Sequence, residues 1–248
     1  MIKTPNKPTA PIALVTGGSG GLGQALVVEL DRLGFRCAIH FNRDRASAEK
    51  LQANLQNESI VVSGDLGRWE QVEAMHSEVE RSLGPVDVLI NNAAIRKDGL
   101  MAMQSPGDWR AVIETNLLGP FHITRLTLPH MLRQRWGRVI NIVSPSGIIA
   151  TAGQTAYGSS KSGLIGFTRT LAAECGRRGV TVNAISPGMM DTTMTADLPA
   201  RVRAGMLDRL PIPRFTSGAE VAAALPMFLD SDYMTGQVVS IDGGISIT

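Results

Sequence analysis

Seven short runs of apolar, mostly β-branched residues recur along the chain, at 12–15, 37–41, 60–62, 86–90, 139–143, 180–185 and 237–241. The stretches between several of them have helical spacing, at 25–33, 46–55, 69–83, 108–136 and 154–178. The runs are apolar on both faces instead of alternating with polar residues. Strands read that way when helices cover both sides of them, and such strands are parallel. Strand and helix alternate to the end, with no internal repeat, so the pattern predicts one α/β, doubly wound domain with a seven-stranded parallel sheet flanked by helices on both faces.

Bulk properties narrow the field further. The 248 residues suffice for one large domain, and 44% hydrophobic content excludes global disorder. A formal charge of +2 gives no reason to expect a nucleic acid partner. No window carries eighteen uninterrupted apolar residues, so no membrane span is expected. Residues 1–10 are polar and Pro-rich and read as a flexible lead-in without a signal core, ahead of a domain over 11–248. A cytoplasmic location follows, with Cys37 and Cys175 as reduced core thiols. His40, His76, His122 and His130 lack metal-ligand spacing and are taken as surface or packing residues, with no metal expected. The irregular segment 187–216 carries Met189, Met190, Met194 and Met206, follows a strand, and reads as a lid over a substrate site.

The first run ends in Thr16-Gly17-Gly18-Ser19-Gly20-Gly21-Leu22-Gly23 and opens a helix. Glycines there allow a tight turn and close approach of the backbone to a phosphate, which the helix N-terminus attracts. Two parsings fit: Gly18, Gly20 and Gly23 as G-x-G-x-x-G, or Gly17, Gly21 and Gly23 as T-G-x-x-x-G-x-G. At the end of the second run, Asn42-Arg43 stands where dinucleotide sheets usually place a ribose-binding carboxylate, with Asp44 next. Arg43 suits a 2′-phosphate and so favours NADP(H), whereas Asp44 could serve the ribose instead. Asp65, after the third run, is placed either to accept from an adenine edge or to cap the next helix.

Tyr157 precedes Lys161 by about one helical turn, which puts both side chains on one face. An ammonium near a phenol favours the phenolate, so Lys161 is expected to lower the Tyr157 pKa and fit it for proton exchange with a carbonyl or alcohol oxygen. Ser144 ends the fifth run and can hydrogen-bond that oxygen, with Ser146 as a nearby competitor. Asn116 lies inside a helical stretch, where asparagine is unfavourable; it either binds a water leading to Lys161 or bends the helix.

Together these residues, with Asn91-Asn92-Ala93-Ala94, Pro187-Gly188 followed by Thr192, Gly236-Gln237 and Asp242-Gly243-Gly244, resemble the short-chain dehydrogenase/reductases in order and over nearly the whole chain from Pro11. The resemblance implies a Rossmann-type subunit in a tetramer or dimer. It implies Tyr157 as acid/base, Ser144 as the carbonyl-orienting group, Lys161 on the ribose, and Asn116 in a proton relay. It also implies dinucleotide contacts at Thr16, Gly17, Ser19, Gly21, Leu22, Gly23, Asn42, Arg43, Asp65, Leu66, Asn92, Ala93, Ala94, Tyr157, Lys161, Pro187, Gly188 and Thr192. The chain departs from the family pattern at Ala94, where glycine is usual, at Gly20, where NADP-preferring members often carry a basic residue, and at Pro145 after Ser144.

Within the family the wording around 95–101, 137–142, 163–168 and 179–183 is most similar to 3-oxoacyl-[acyl-carrier-protein] reductases. That similarity implies NADPH-dependent reduction of a β-ketoacyl thioester, in fatty-acid or specialised polyketide or aryl-polyene synthesis. It also implies an acidic acyl carrier protein docked on Arg135 and Arg178. Two other readings compete: an NAD(P)-dependent enzyme acting on a free ketone, sugar or steroid alcohol, and a non-catalytic cofactor-binding sensor or scaffold. The intact Ser144, Tyr157 and Lys161 set disfavours the second.

Overall fold

The apolar runs form strands because each buries both of its faces. In the computed structural model, which describes residues 7–190, 201, 205, 207–208 and 210–247, they are β1 (Ile12–Val15), β2 (Arg36–Phe41), β3 (Ser59–Ser63), β4 (Val88–Asn91), β5 (Gly137–Ile142), β6 (Val180–Pro187) and β7 (Val238–Ile241). They make one sheet in the order β3-β2-β1-β4-β5-β6-β7, and every adjacent pair is parallel. This is the expected doubly wound, Rossmann-type sheet. The runs at the two edges differ from the expectation, since β3 and β7 are only partly buried; an edge strand has a neighbour on one side only.

Alternate residues of the central strands feed two cores. Ala13, Val15, Ile39, Ile90, Ile140 and Ile185 pack on one face, against α1 (Gly21–Arg32), α2 (Arg45–Gln52), α7 (Gly218–Ala222) and α8 (Leu225–Asp230). Leu14, Leu89, Val139 and Val182 point the other way, against α3 (Trp69–Ser82), α5 (Gly119–Gln134) and α6 (Thr155–Cys175). Each large side chain so buried contributes roughly 1.5–3 kcal/mol of transfer free energy. Burial pushes the thiols of Cys37 to about 12 and Cys175 to about 11, so both stay protonated. Among the described residues no helix is long and apolar enough to cross a membrane.

The stretch read as one helix over 108–136 is three pieces: α4 (Pro106–Ile113), a π-helical turn over Glu114–Leu118, and α5. Pro120, just after the turn, has no N–H to return to the carbonyl of Asn116, so the α ladder lacks that bond. Helix α6 likewise stops at Cys175, and Arg177 and Arg178 lie in a 3-10 turn beyond it.

Of the lead-in, Lys7 reaches α8 through an ion pair with Asp230 at 3.0 Å. Near the two ends of the segment 187–216, Met190 and Thr216 form an isolated parallel bridge, and the Thr216 N–H donates to the Met189 carbonyl at 2.9 Å. Residues 191–200, 202–204, 206 and 209 lie outside the described residues, and the readings of Thr192, Met194 and Met206 fall there.

Candidate active site

In an open parallel sheet the crevice forms where the order of connection reverses. Here that point lies between β1 and β4, and side chains stitch their carboxyl ends together. The Thr16 hydroxyl accepts from the Asn92 and Ala93 N–H groups at 2.9 and 3.1 Å. The Asn92 amide donates to the Thr16 and Gly17 carbonyls at 2.9 and 3.0 Å. Above this stitch opens a cavity of about 1740 Å³.

Gly17 adopts the left-handed conformation (φ 63°), and a Cβ there would meet the Ala93 Cα at 2.9 Å. A Cβ on Gly23 would run into the Gly17 carbonyl oxygen. Helix α1 starts at Gly21, with Gly20 as N-cap. A Cβ on Gly18 would meet the Ile39 Cγ2 at 2.8 Å, so Gly17, Gly18 and Gly23 are all held to glycine by close contacts. The N-terminus of α1 has no side-chain cap and no acid in its first turn. Its amide donors are left for an anion, which is what a dinucleotide's pyrophosphate supplies.

Most expected dinucleotide contacts line this one cavity: Gly17, Ser19, Gly21, Leu22 and Gly23 on the first turn, Asn42 and Arg43 after β2, Asp65 and Leu66 after β3, Asn92, Ala93 and Ala94 after β4, and Pro187 and Gly188 after β6. Thr16 is buried beneath it. Asp44 lines the cavity as well, and its carboxylate also caps α2, accepting from the Ser47 N–H at 3.0 Å. Hydrogen bonds from the Ser47 side chain and then its N–H hold it below the usual carboxylate range. Arg45 pairs with Glu49 at 2.7 Å, whereas Arg43 has no ion pair among the described residues. Asp65 accepts from the Gly67 N–H at 2.9 Å, a tight local turn and not a helix cap.

Ser144, Tyr157 and Lys161 line the cavity at the ends of β5 and α6. Burial raises the Tyr157 phenol above its ordinary value, opposed by a hydrogen bond with Ser144 and by the charge of Arg96. The expectation that Lys161 makes this phenol acidic is therefore corrected: the ammonium lies 5.6 Å from the ring centroid and donates to the Ile142 carbonyl at 2.7 Å. Lys161 is 2% exposed, and burial lowers its pKa to about 8. Between the two serines the geometry favours Ser144, since the Ser146 hydroxyl donates to Gln154 Oε1 at 2.7 Å.

Asn116 is fully buried in the π turn. Its amide accepts from the Ile95 N–H at 2.8 Å, donates to the Ile95 carbonyl at 2.9 Å and to the Ser160 hydroxyl at 3.2 Å. Both amide hydrogens are thus engaged by protein, and the side chain fixes the loop after β4. Arg135 and Arg178 precede β5 and β6, at the opposite end of the strands from Ser144 and Pro187. The expected docking cations are therefore not beside the mouth of the same subunit.

Sequence reasoning missed two parts of the cavity wall. Arg96, paired with Asp98 at 3.1 Å, lies close enough to act on the phenol. His40, taken as a surface or packing residue, is 1% exposed and hydrogen-bonds the glycine turn. A histidine in the second run, 37–41, otherwise uniformly apolar, was the available signal.

A glycine-turn crevice with a Ser, Tyr and Lys at its far end defines a dinucleotide-dependent oxidoreductase. The short chain dehydrogenase family model matches residues 11–203, and the chain belongs to that family. It is 39% identical to a 3-oxoacyl-[acyl-carrier-protein] reductase of Pseudomonas aeruginosa, over 94% of this chain and 96% of that one. It is 40% identical to nodulation protein G of Azospirillum brasilense (95% and 98%) and 37% identical to a 3-oxoacyl-[acyl-carrier-protein] reductase of Synechocystis (96% and 97%). The chain is an oxidoreductase that uses a nicotinamide cofactor.

Gly23→Ala forces a methyl group against the Gly17 carbonyl. The expected result is a loss of about 1–3 kcal/mol in urea denaturation, together with weaker dinucleotide binding by calorimetry. The Lys161 ammonium is retained below about pH 8 and lost above it. Reductive kcat/KM should therefore fall as pH rises through that value in the wild type, and the Lys161→Met variant should lack this alkaline limb.

Proposed function

We propose that this chain reduces the 3-keto group of an acyl thioester held on an acyl carrier protein to the 3-hydroxyacyl product, with NADPH as the reductant. The observation that carries the reading is the meeting of Ser144, Tyr157 and Lys161 at one end of a cavity whose other end is the glycine turn. Near full-length likeness to two 3-oxoacyl-[acyl-carrier-protein] reductases supports the substrate class.

When bound, the nicotinamide supplies the hydride. The chain's own residues do the rest. The Ser144 hydroxyl holds the keto oxygen, and the Tyr157 phenol gives that oxygen its proton. Burial that raises the phenol keeps it protonated at neutral pH, the form a reduction consumes. The buried Lys161 ammonium holds the ribose and places positive charge beneath the oxygen that becomes negative. Asn116 acts by fixing Ile95 and so the wall facing the substrate. Solvent water supplies the proton that replaces the one given up by Tyr157, passed on by way of Lys161.

Arg43, which lines the cavity and has no ion pair among the described residues, supports a preference for NADPH, with Asp44 beside it in the same wall. Arg135 and Arg178 serve an acidic carrier only where a second copy turns its far end to this mouth. A dimer or tetramer is thus part of the proposal. Reduced Cys37 and Cys175 fit a cytoplasmic enzyme.

The test is initial-rate kinetics with a β-ketoacyl carrier protein, the matching coenzyme A thioester and cyclic ketones. Turnover of the carrier-bound thioester is expected to exceed that of cyclic ketones and to fall at least about a hundredfold in Tyr157→Phe. Reversal of Arg135 and Arg178 to Glu is expected to weaken the carrier-bound substrate alone. Faster turnover of cyclic ketones would refute the substrate class. For the cofactor, Arg43→Ala is expected to raise the KM for NADPH about tenfold and leave that for NADH nearly unchanged.

A further inference from the structure

His40 lies near the end of β2, 1% exposed, where the walls of the dinucleotide cavity converge. Three hydrogen bonds tie it to both walls. The Gly17 N–H donates to its Nδ1 at 3.0 Å, and the Gly18 N–H donates to its carbonyl at 2.7 Å. Its Nε2 lies 2.8 Å from the Gly64 carbonyl, just before Asp65. A backbone N–H can only donate and a carbonyl can only accept. The partners therefore require a bare Nδ1 and a protonated Nε2, the neutral ring in a single tautomer.

We infer that His40 is a positioning residue for the cofactor: its neutral imidazole holds the phosphate turn and the loop after β3 at the separation the dinucleotide spans, and protonation of the ring releases that grip. The inference rests on the dinucleotide lying along the glycine turn. A proton on Nδ1 would point at the Gly17 N–H, leaving two donors facing each other in a buried place. Gly17 would then have to turn away, and with it the left-handed corner that carries the α1 amides.

The surroundings bear on where the ring titrates. The glycine turn, 16–23, and β1 carry no ionisable group. The loop after β3 contributes Asp65 and Arg68, and the end of β2 contributes Arg43 and Asp44. Burial lowers the imidazole from its ordinary 6.5, opposed by the Gly64 bond and the Asp65 charge. The neutral ring is thus fully present above 6.5 and is lost as pH falls through a value below it. Dinucleotide affinity should follow the same course.

The experiment combines two readouts. Nitrogen-15 NMR of the free protein reports the His40 tautomer and its titration. Calorimetry from pH 5 to 8 gives the Kd of NADPH and NADH for wild type, His40→Asn and His40→Phe. Asparagine keeps an acceptor near the Nδ1 position and does not titrate. The expected tautomer at pH 7 has Nδ1 bare. Wild-type affinity for NADH should fall about tenfold where nine-tenths of the ring is protonated, since apparent affinity follows the competent fraction. His40→Asn should show no such fall with NADH, and with NADPH only the slope due to the nucleotide's own 2′-phosphate. His40→Phe should bind both nucleotides more weakly at every pH. If that variant fails to fold, the NMR titration and His40→Asn still decide. Equal pH slopes in wild type and His40→Asn across the range where NMR shows the ring to titrate, or a bare Nε2 at pH 7, would overturn the inference. Wild type that binds neither nucleotide at any pH would overturn the dinucleotide placement itself.

Discussion

The parallel pairing of β1 with β4 decides where everything else in this molecule can go. The connections diverge on either side of that pair, so a crevice opens above it, and Thr16 and Asn92 close its floor with four hydrogen bonds between side chain and backbone. Gly17 follows directly, in a conformation only glycine adopts without strain, and any side chain there would strike Ala93. The phosphate turn, the wall after β4 and the start of α1 are thereby one unit. Ser144 and Pro187 inherit their positions from β5 and β6, which are hydrogen-bonded outward from the same pair.

At the catalytic end, burial acts on two groups in opposite directions and toward the same outcome. It raises the phenol of Tyr157 and lowers the amine of Lys161. Each group drifts toward its uncharged form, because a low-dielectric site disfavours charge of either sign. The bond from Lys161 to the Ile142 carbonyl resists that drift for the cation, and the Ser144 bond and Arg96 resist it for the phenol. The π turn contributes differently, by pinning Ile95 through Asn116 so that the β4 loop keeps a fixed face toward these groups.

Much of this was legible in the residues. Strands buried on both sides leave runs with no polar alternation, so the sheet could be read directly, as could the glycine turn and the spacing of Tyr157 and Lys161. The edge strands read less well, because their half-exposure depends on the strand order and not on their own composition. The π turn was hidden for a related reason: Asn116 stood out as an unsuitable helical residue, yet a single residue does not show that the helix widens around it. The sign of the Tyr157 shift depends on how deeply the ring is buried, which spacing does not encode. Arg135 and Arg178 look like a patch along the chain, but each precedes a strand, and a parallel sheet puts the starts of its strands at one end and their finishes at the other. His40 was read as packing because a lone imidazole carries no pattern; its partners are backbone atoms of two glycines far away in sequence.

The position of Asp44 has a consequence for how such a chain can diverge. Asp44 borders the cavity and also starts α2. A substitution there alters a wall of the crevice and the beginning of a helix in one step, so any gain at the first is tied to a loss at the second unless the new residue can also begin a helix.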